Sequence, residues 1–221
     1  MKKELTAADI EKLYAFLQKK FVDTYDVQTE LVDHLASDIE LQWERDPSLS
    51  LDEAMQKVYK SFGIFGFTEV YEQRVAAIQK EIQKQWLRTF LQFFKLPYLL
   101  FSLVLFLGNQ LALTSLDQGV VKLVSLGLLT AGVLYFAVKE YAFNKRHLRR
   151  KLSVMQYIYG FLPLLYLPMY INYAVLERLI TEVSWPYALH ITVSYILAIA
   201  YISTVDKIKQ KAKEQYPIAF A

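Results

Sequence analysis

The chain has 221 residues, of which 54% are hydrophobic and 21% are charged, and its net charge is +3. It contains no cysteine, which excludes disulfides, thiolate catalysis and cysteine-ligated metal sites. Residues 1–79 carry nine Lys/Arg against fifteen Asp/Glu, whereas the rest of the chain carries 16 against 7. These counts predict an acidic, helix-forming region and a basic, apolar region that meet near Lys95.

Apolar residues at helical spacing predict four helices in the acidic region. Capping-box patterns mark two of the starts, Thr6–Asp9 and Ser50–Glu53. A strand-like alternation of polar and apolar residues does not occur. We therefore predict an all-α protein, with a small helical bundle over residues 1–79 and a basic amphipathic connector over residues 80–95. The predicted helix starts are, in chain order, Thr6, Thr24, Ser50 and Thr68.

Three stretches of the acidic region follow one another in a recognisable order. Tyr25–Glu40 contains the core Glu-Leu-Val-Asp-His-Leu, Ser50–Ala54 reads Ser-Leu-Asp-Glu-Ala, and Phe62-Gly63 ends the third helix. This order resembles the HAAS type of cytoplasmic helical domain, which is usually found ahead of transmembrane helices in bacteria. The resemblance covers about residues 8–75. It implies a regulatory role, with a PadR-like transcription regulator as a cytoplasmic partner, and it implies no catalytic residues.

Four apolar runs follow the connector, at 96–116, 119–138, 152–176 and 185–205. Each is long enough to cross a bilayer core about 30 Å thick. So many apolar helices leave no polar faces with which a soluble protein could cover them. We therefore predict a four-helix transmembrane bundle, and we expect Pro163 and Pro168 to bend its third helix.

Positive charge occurs at every second boundary of these runs, including the basic tail over residues 206–221. By the positive-inside rule, both termini are predicted to be cytoplasmic and the protein to lie in the cytoplasmic (inner) membrane. The basic surface on that face is expected to bind anionic lipids and to attract the acidic bundle, whereas nucleic acid is not expected to bind. Its residues are Lys84, Arg88, Lys95, Lys145, Arg146, Arg149, Arg150 and Lys151.

Glu30, His34 and Asp38 are each four residues apart on the predicted second helix. Such a row can fix helix packing, respond to pH or to a partner, or bind a metal. We favour a partly buried His34–Asp38 pair that fixes packing. A switch is the second interpretation, and a metal site is the least favoured because no second histidine or cysteine lies nearby.

Several polar residues fall within or beside the predicted spans. Since a charge deep in a bilayer is costly, we interpret these residues as helix-to-helix hydrogen-bonding groups and interface anchors. None is an ionisable group near the midplane, as a transport pathway normally requires. The residues are Asn109, Gln110, Lys122, Gln156, Asn172 and His190.

The sequence contains no motif of a membrane-embedded enzyme and no phosphate-binding glycine loop. We therefore predict a non-enzymatic regulatory, signalling or scaffold protein without a cofactor, whose helical domain binds a cytoplasmic protein at the inner membrane face. The alternative is a small transporter or a membrane subunit of a transport complex. With four helices and few polar groups, a transporter would have to form a homo-oligomer.

Overall fold

The computed structural model describes residues 3–63, 66–160 and 184–220. Over these residues the fold is all-α, as predicted, and it contains eight α-helices and no β-strand. A short 3-10 helix, Pro217–Ala219, follows the last of them. The helices are α1 (Ala7–Lys19), α2 (Tyr25–Arg45), α3 (Leu51–Ser61), α4 (Thr68–Gln92), α5 (Tyr98–Ser115), α6 (Gln118–His147), α7 (Ser153–Ile158) and α8 (Trp185–Gln215).

Local capping fixes the starts of α1 and α3. Both predicted capping boxes form, Thr6 with Asp9 and Ser50 with Glu53. The Glu53 carboxylate accepts hydrogen bonds from the Ser50 hydroxyl at 2.7 Å and from the Ser50 backbone N–H at 2.9 Å. The Ser50 side chain, followed by its backbone N–H, lowers the pKa of Glu53 because these bonds favour the ionised form.

The first of two compact units contains residues 1–79, 149–157 and 216–221. Helices α1, α2 and α3 supply most of its apolar core, and apolar residues of α4 pack against that core. The side chains Leu31, Leu35 and Ile39 of α2 are completely buried, as expected from their shared helical face. We call helices α1–α3, together with the part of α4 up to Gln79, the N-terminal bundle.

The two later segments of this unit were not foreseen from the sequence. Residues 152–157 were predicted to open the third membrane span, but they belong to the same unit as residues 1–79. Gln156, predicted to be intramembrane, is exposed on the short helix α7. The rest of that predicted span, including Pro163 and Pro168, lies outside the described residues.

The second unit contains residues 80–148 and 158–215. Three of its described helices, α5, α6 and α8, are long and apolar enough to cross a membrane, which indicates a membrane protein. Large apolar side chains such as Leu107 and Leu123 are exposed on α5 and α6, whereas α8 is the most buried of the three. Both α6 and α8 continue as helices beyond the predicted spans 119–138 and 185–205.

The chain is not helical throughout the boundary near Lys95. Helix α4 ends at Gln92, and α5 begins at Tyr98, directly after Pro97. The Ser102 hydroxyl donates to the Phe93 carbonyl at 2.8 Å and so satisfies one backbone acceptor in the break. The bundle's fourth helix and the first apolar helix are therefore two separate helices.

Candidate functional site

The start of α2 carries three carboxylates, Asp23, Asp26 and Glu30, at spacings of three and four residues. Asp26 and Glu30, four residues apart within α2, lie on one side of the helix, and Asp23 lies two residues before the helix begins. Asp23 and Asp26 contact the segment 149–157, whereas Glu30 contacts α4, and these contacts converge around the start of α2. We call these three carboxylates and their partners Lys151, Ser153 and Arg74 the α2 junction.

Asp26 is the buried centre of the α2 junction, with only 2% of its surface exposed. Its carboxylate accepts hydrogen bonds from the backbone N–H groups of Ser153 at 2.8 Å and Val154 at 3.2 Å, and from the Ser153 hydroxyl. These amides belong to the first turn of α7 and have no partner within that helix. The carboxylate therefore caps α7, and the three donors compensate its burial.

An exposed rim surrounds this buried centre. The Lys151 ammonium lies 2.7 Å from the Asp23 carboxylate, and the two side chains are 65% and 56% exposed. The Tyr25 N–H donates to the Lys151 carbonyl at 2.7 Å, and the Arg150 guanidinium lies 4.7 Å from the centre of the Tyr25 ring. Exposed ion pairs are weak and are screened by salt. The rim therefore contributes less than Asp26 to the attachment of residues 149–157 to the start of α2.

The third carboxylate, Glu30, pairs with α4. Its Oε2 lies 2.9 Å from Nε of Arg74. The Tyr216 ring packs edge-on against Tyr25, with the ring centres 6.3 Å apart. Burial raises the pKa of Tyr216, the negative charge of Asp26 adds to the rise, and Arg74 opposes it. The α2 junction therefore brings α4 and the C-terminal segment to the same helix start.

The loop after α6 and the C-terminal segment also contact each other. The Arg149 N–H donates to the Ala219 carbonyl at 2.8 Å, and the Arg150 N–H donates to the same oxygen at 3.3 Å. Two separate parts of the chain are thus joined beside the N-terminal bundle.

The structure contradicts the favoured interpretation of Glu30, His34 and Asp38. His34 is exposed and Asp38 is half-buried, and within the described residues no hydrogen bond or ion pair joins them. The buried face of α2 runs through Leu35, and His34 precedes it by one residue, which turns its side chain about 100° away. The predicted packing pair is therefore wrong, and the switch remains a prediction. Over the described part of the chain, no group of three acidic or histidine side chains could hold a metal ion.

A second polar cluster lies in the second unit, between α6 and α8. The Lys209 ammonium lies 2.7 Å from both carboxylate oxygens of Glu140, and the two side chains are only 10% and 3% exposed. The Tyr159 hydroxyl donates to Glu140 at 3.1 Å, and the Asn144 amide donates to Tyr159 at 3.0 Å. The Lys209 ammonium also lies 3.9 Å from the centre of the Phe143 ring.

The remaining polar residues of the predicted spans contact neighbouring helices. The Asn109 amide donates to the Thr192 hydroxyl at 3.1 Å, and the Gln110 amide donates to the Ser184 hydroxyl at 2.8 Å. The Lys122 ammonium lies 4.0 Å from the centre of the Tyr187 ring. Two further positions complete the set: His190 is half-buried on α8, and Asn172 lies outside the described residues.

All eight residues of the predicted basic surface are exposed. Two of them, Arg150 and Lys151, contact Tyr25 and Asp23 and so hold the loop on the N-terminal bundle. The other six keep exposed side chains. They are Lys84, Arg88, Lys95, Lys145, Arg146 and Arg149.

The sequence reasoning missed both polar clusters. One signal for the first was present, because Asp26 and Glu30 have helical spacing near the start of a predicted helix and Asp23 directly precedes that helix. Their main partner, Ser153, lies 127 residues after Asp26, and no pattern in the sequence pairs the two. Glu140 and Lys209 were missed because they lie beyond the apolar runs, in stretches assigned to a loop and a tail.

Comparisons of the chain with models of protein families, with curated proteins and with solved structures find no match. The resemblance of about residues 8–75 to a HAAS-type domain therefore remains a prediction.

Proposed function

We propose that this is a non-enzymatic regulatory, signalling or scaffold protein of the cytoplasmic (inner) membrane, which presents its N-terminal bundle to a cytoplasmic protein. The observation that supports this proposal best is the composition of the first unit. The segments that directly follow α6 and α8 belong to that unit, so the bundle is tied to the membrane helices at more than one point of the chain.

The same observation supports the predicted topology. Segments that pack into one unit lie on the same side of a membrane. Residues 1–79, 149–157 and 216–220 form one unit and are therefore expected on one side. Helices α5 and α6 provide two crossings between the first pair of segments. If Tyr157 and Tyr216 lie on the same side, the number of crossings between them is even, and α8 is long and apolar enough to be one crossing. Four spans with both termini on one side satisfy this condition, and the positive charge of the loops favours the cytoplasm for that side.

The outer face of α2 is the surface that we propose for the partner. Asp33, His34 and Ser37 are exposed there, together with Leu41, which is 49% exposed. Two of these residues, Asp33 and His34, belong to the motif that resembles a HAAS domain, and the resemblance suggests a PadR-like regulator as the partner. The basic side chains that do not contact the bundle are available to anionic lipid headgroups.

The test is crosslinking in native membranes, followed by purification of the full-length chain. The full chain is required because a fragment ending at Lys95 would lack residues 149–157 and 216–220 of the first unit. We expect a stoichiometric cytoplasmic protein with the wild type and with the control Glu11→Ala, on the exposed surface of α1, but not with Leu41→Glu. If a multi-span permease is recovered instead, the transport-subunit alternative is correct. Equal recovery with Leu41→Glu would rule out the proposed face.

A further inference from the structure

We infer that residues 149–157 and 216–220 form a detachable strap on the start of α2, held mainly by Asp26 and able to separate while the N-terminal bundle stays folded. This inference concerns the conformation of the chain and does not depend on the identity of any partner. It follows from a contrast between the forces that hold the bundle and those that hold the strap.

The bundle core is apolar and complete without the strap. Its buried members come from α1, α2 and α3 and from the turns beside them, and within the described residues no strap residue belongs to that core cluster. The core side chains Leu13, Leu17 and Leu35 are completely buried. Hydrophobic burial is the main stabilising term in folding, and the apolar cluster that α1, α2 and α3 form contains no described residue of 149–157 or 216–220.

The contacts that join the strap to the start of α2 are mostly polar. Two apolar side chains of the strap, Leu152 and Met155, are also buried, but within the described residues they do not belong to the core cluster of the bundle. The Asp26 carboxylate receives three hydrogen bonds from Ser153 and Val154, and one backbone hydrogen bond joins Tyr25 to Lys151. The ion pair with Asp23 adds less than Asp26 does because both of its partners are exposed. Hydrogen bonds to a charged group are stronger than neutral ones, and the charge of Asp26 acts on several donors at once. Removal of this one side chain should therefore release the strap without a large change in the core.

The two segments of the strap follow α6 and α8 in the chain, so the strap is covalently connected to the ends of both helices. Only Leu148 separates the end of α6 from Arg149, and Tyr216 directly follows the last residue of α8. A shift at the ends of these helices therefore acts directly on the strap. Its release would leave Asp23 and Asp26 without Lys151 and Ser153 and would expose an acidic surface at the start of α2.

The experiment is hydrogen–deuterium exchange on the full chain in lipid nanodiscs, comparing Asp26→Ala with the wild type. We expect amides in residues 149–158 to exchange at least tenfold faster in the variant, while amides in residues 31–43 of the core keep their protection. Asp33→Ala is the matched control, because Asp33 is an exposed carboxylate on the same helix. Equal acceleration in both regions would show that the strap is an integral part of the bundle. No acceleration in residues 149–158 would show that Asp26 does not hold it.

A second variant keeps the inference testable if Asp26→Ala does not fold. Lys151→Glu places two negative charges together at Asp23 and leaves the buried contacts intact. We expect exchange of residues 149–158 to rise severalfold with this variant but not with Lys145→Glu, an exposed lysine on α6. Equal exchange in the two lysine variants would contradict the inference.

Discussion

The buried ion pair between Glu140 and Lys209 provides the sharpest prediction about stability. Glu140→Gln and Lys209→Met each remove one charge and leave the other charge in surroundings where only 10% of Lys209 and 3% of Glu140 are exposed. The double variant removes both charges. The three variants and the wild type form a double-mutant cycle that measures the coupling between the two helices.

The magnitude follows from the burial and the geometry. Both carboxylate oxygens lie 2.7 Å from the ammonium, so neither charge has access to water as an alternative partner. Leaving one member of such a pair uncompensated costs about 3–5 kcal/mol, whereas replacing both members is often close to neutral. We therefore expect each single variant to lose about 3–5 kcal/mol and the double variant to recover most of that loss.

The assay is reversible unfolding of the full chain in mixed micelles, with the free energy of unfolding measured for all four proteins. Glu214→Gln is the control on the same helix, because Glu214 pairs with Gln210 at 3.1 Å on an exposed surface. We expect this control to change stability by no more than about 0.5 kcal/mol. Single variants within about 1 kcal/mol of the wild type, or a double variant equal to their sum, would refute the claim that the pair is buried and coupled.

Three further predictions concern the first unit. Leu35→Ala removes a completely buried side chain and should lower the free energy of unfolding by about 2–5 kcal/mol, measured by denaturant titration followed by circular dichroism. The lowered pKa of Glu53 means that its capping box stabilises α3 above the ordinary pKa of the carboxyl group, and that this contribution is lost as the pH falls through the lowered value. Glu53→Gln should therefore flatten the acid limb of a plot of stability against pH, and an unchanged limb would contradict the assignment. Phe21 has φ 65° and is 94% exposed, so Phe21→Gly should stabilise the chain by up to about 1 kcal/mol, whereas Gly63→Ala, at φ 73°, should destabilise it by about as much in the same thermal melts.

Local signals predicted the helices of the N-terminal bundle well. Thr6 with Asp9 and Ser50 with Glu53 are three residues apart, and the side chains that start each helix are therefore visible in a short stretch of sequence. The inward face of α2 was predicted for the same reason, since Leu31 and Leu35 repeat at the helical period.

The sequence did not predict contacts between residues that are far apart in the chain. It also did not predict that α6 and α8 continue past the ends of the apolar runs. Nothing near Asp26 shows that its partner is Ser153, so the largest part of the candidate site could not be predicted. Glu140 and Lys209 were assigned to a loop and a tail because apolar runs end where charge begins. Lys, Glu, Ala and Gln are nevertheless good helix formers, and α6 and α8 continue through them.

The distance along the chain between Asp26 and Ser153 also sets an order in biosynthesis. The start of α2 is translated 127 residues before Ser153, which corresponds to about 6–25 s at a rate of about 5–20 residues per second. The apolar core of α1–α3 can form during that interval, but the carboxylate of Asp26 has to wait for α6 to be made and inserted before α7 reaches it. The contact between Asp26 and Ser153 therefore marks a chain in which α6 has already been made. A chain that stalls before Ser153 leaves the Asp26 carboxylate without the donors that compensate its burial.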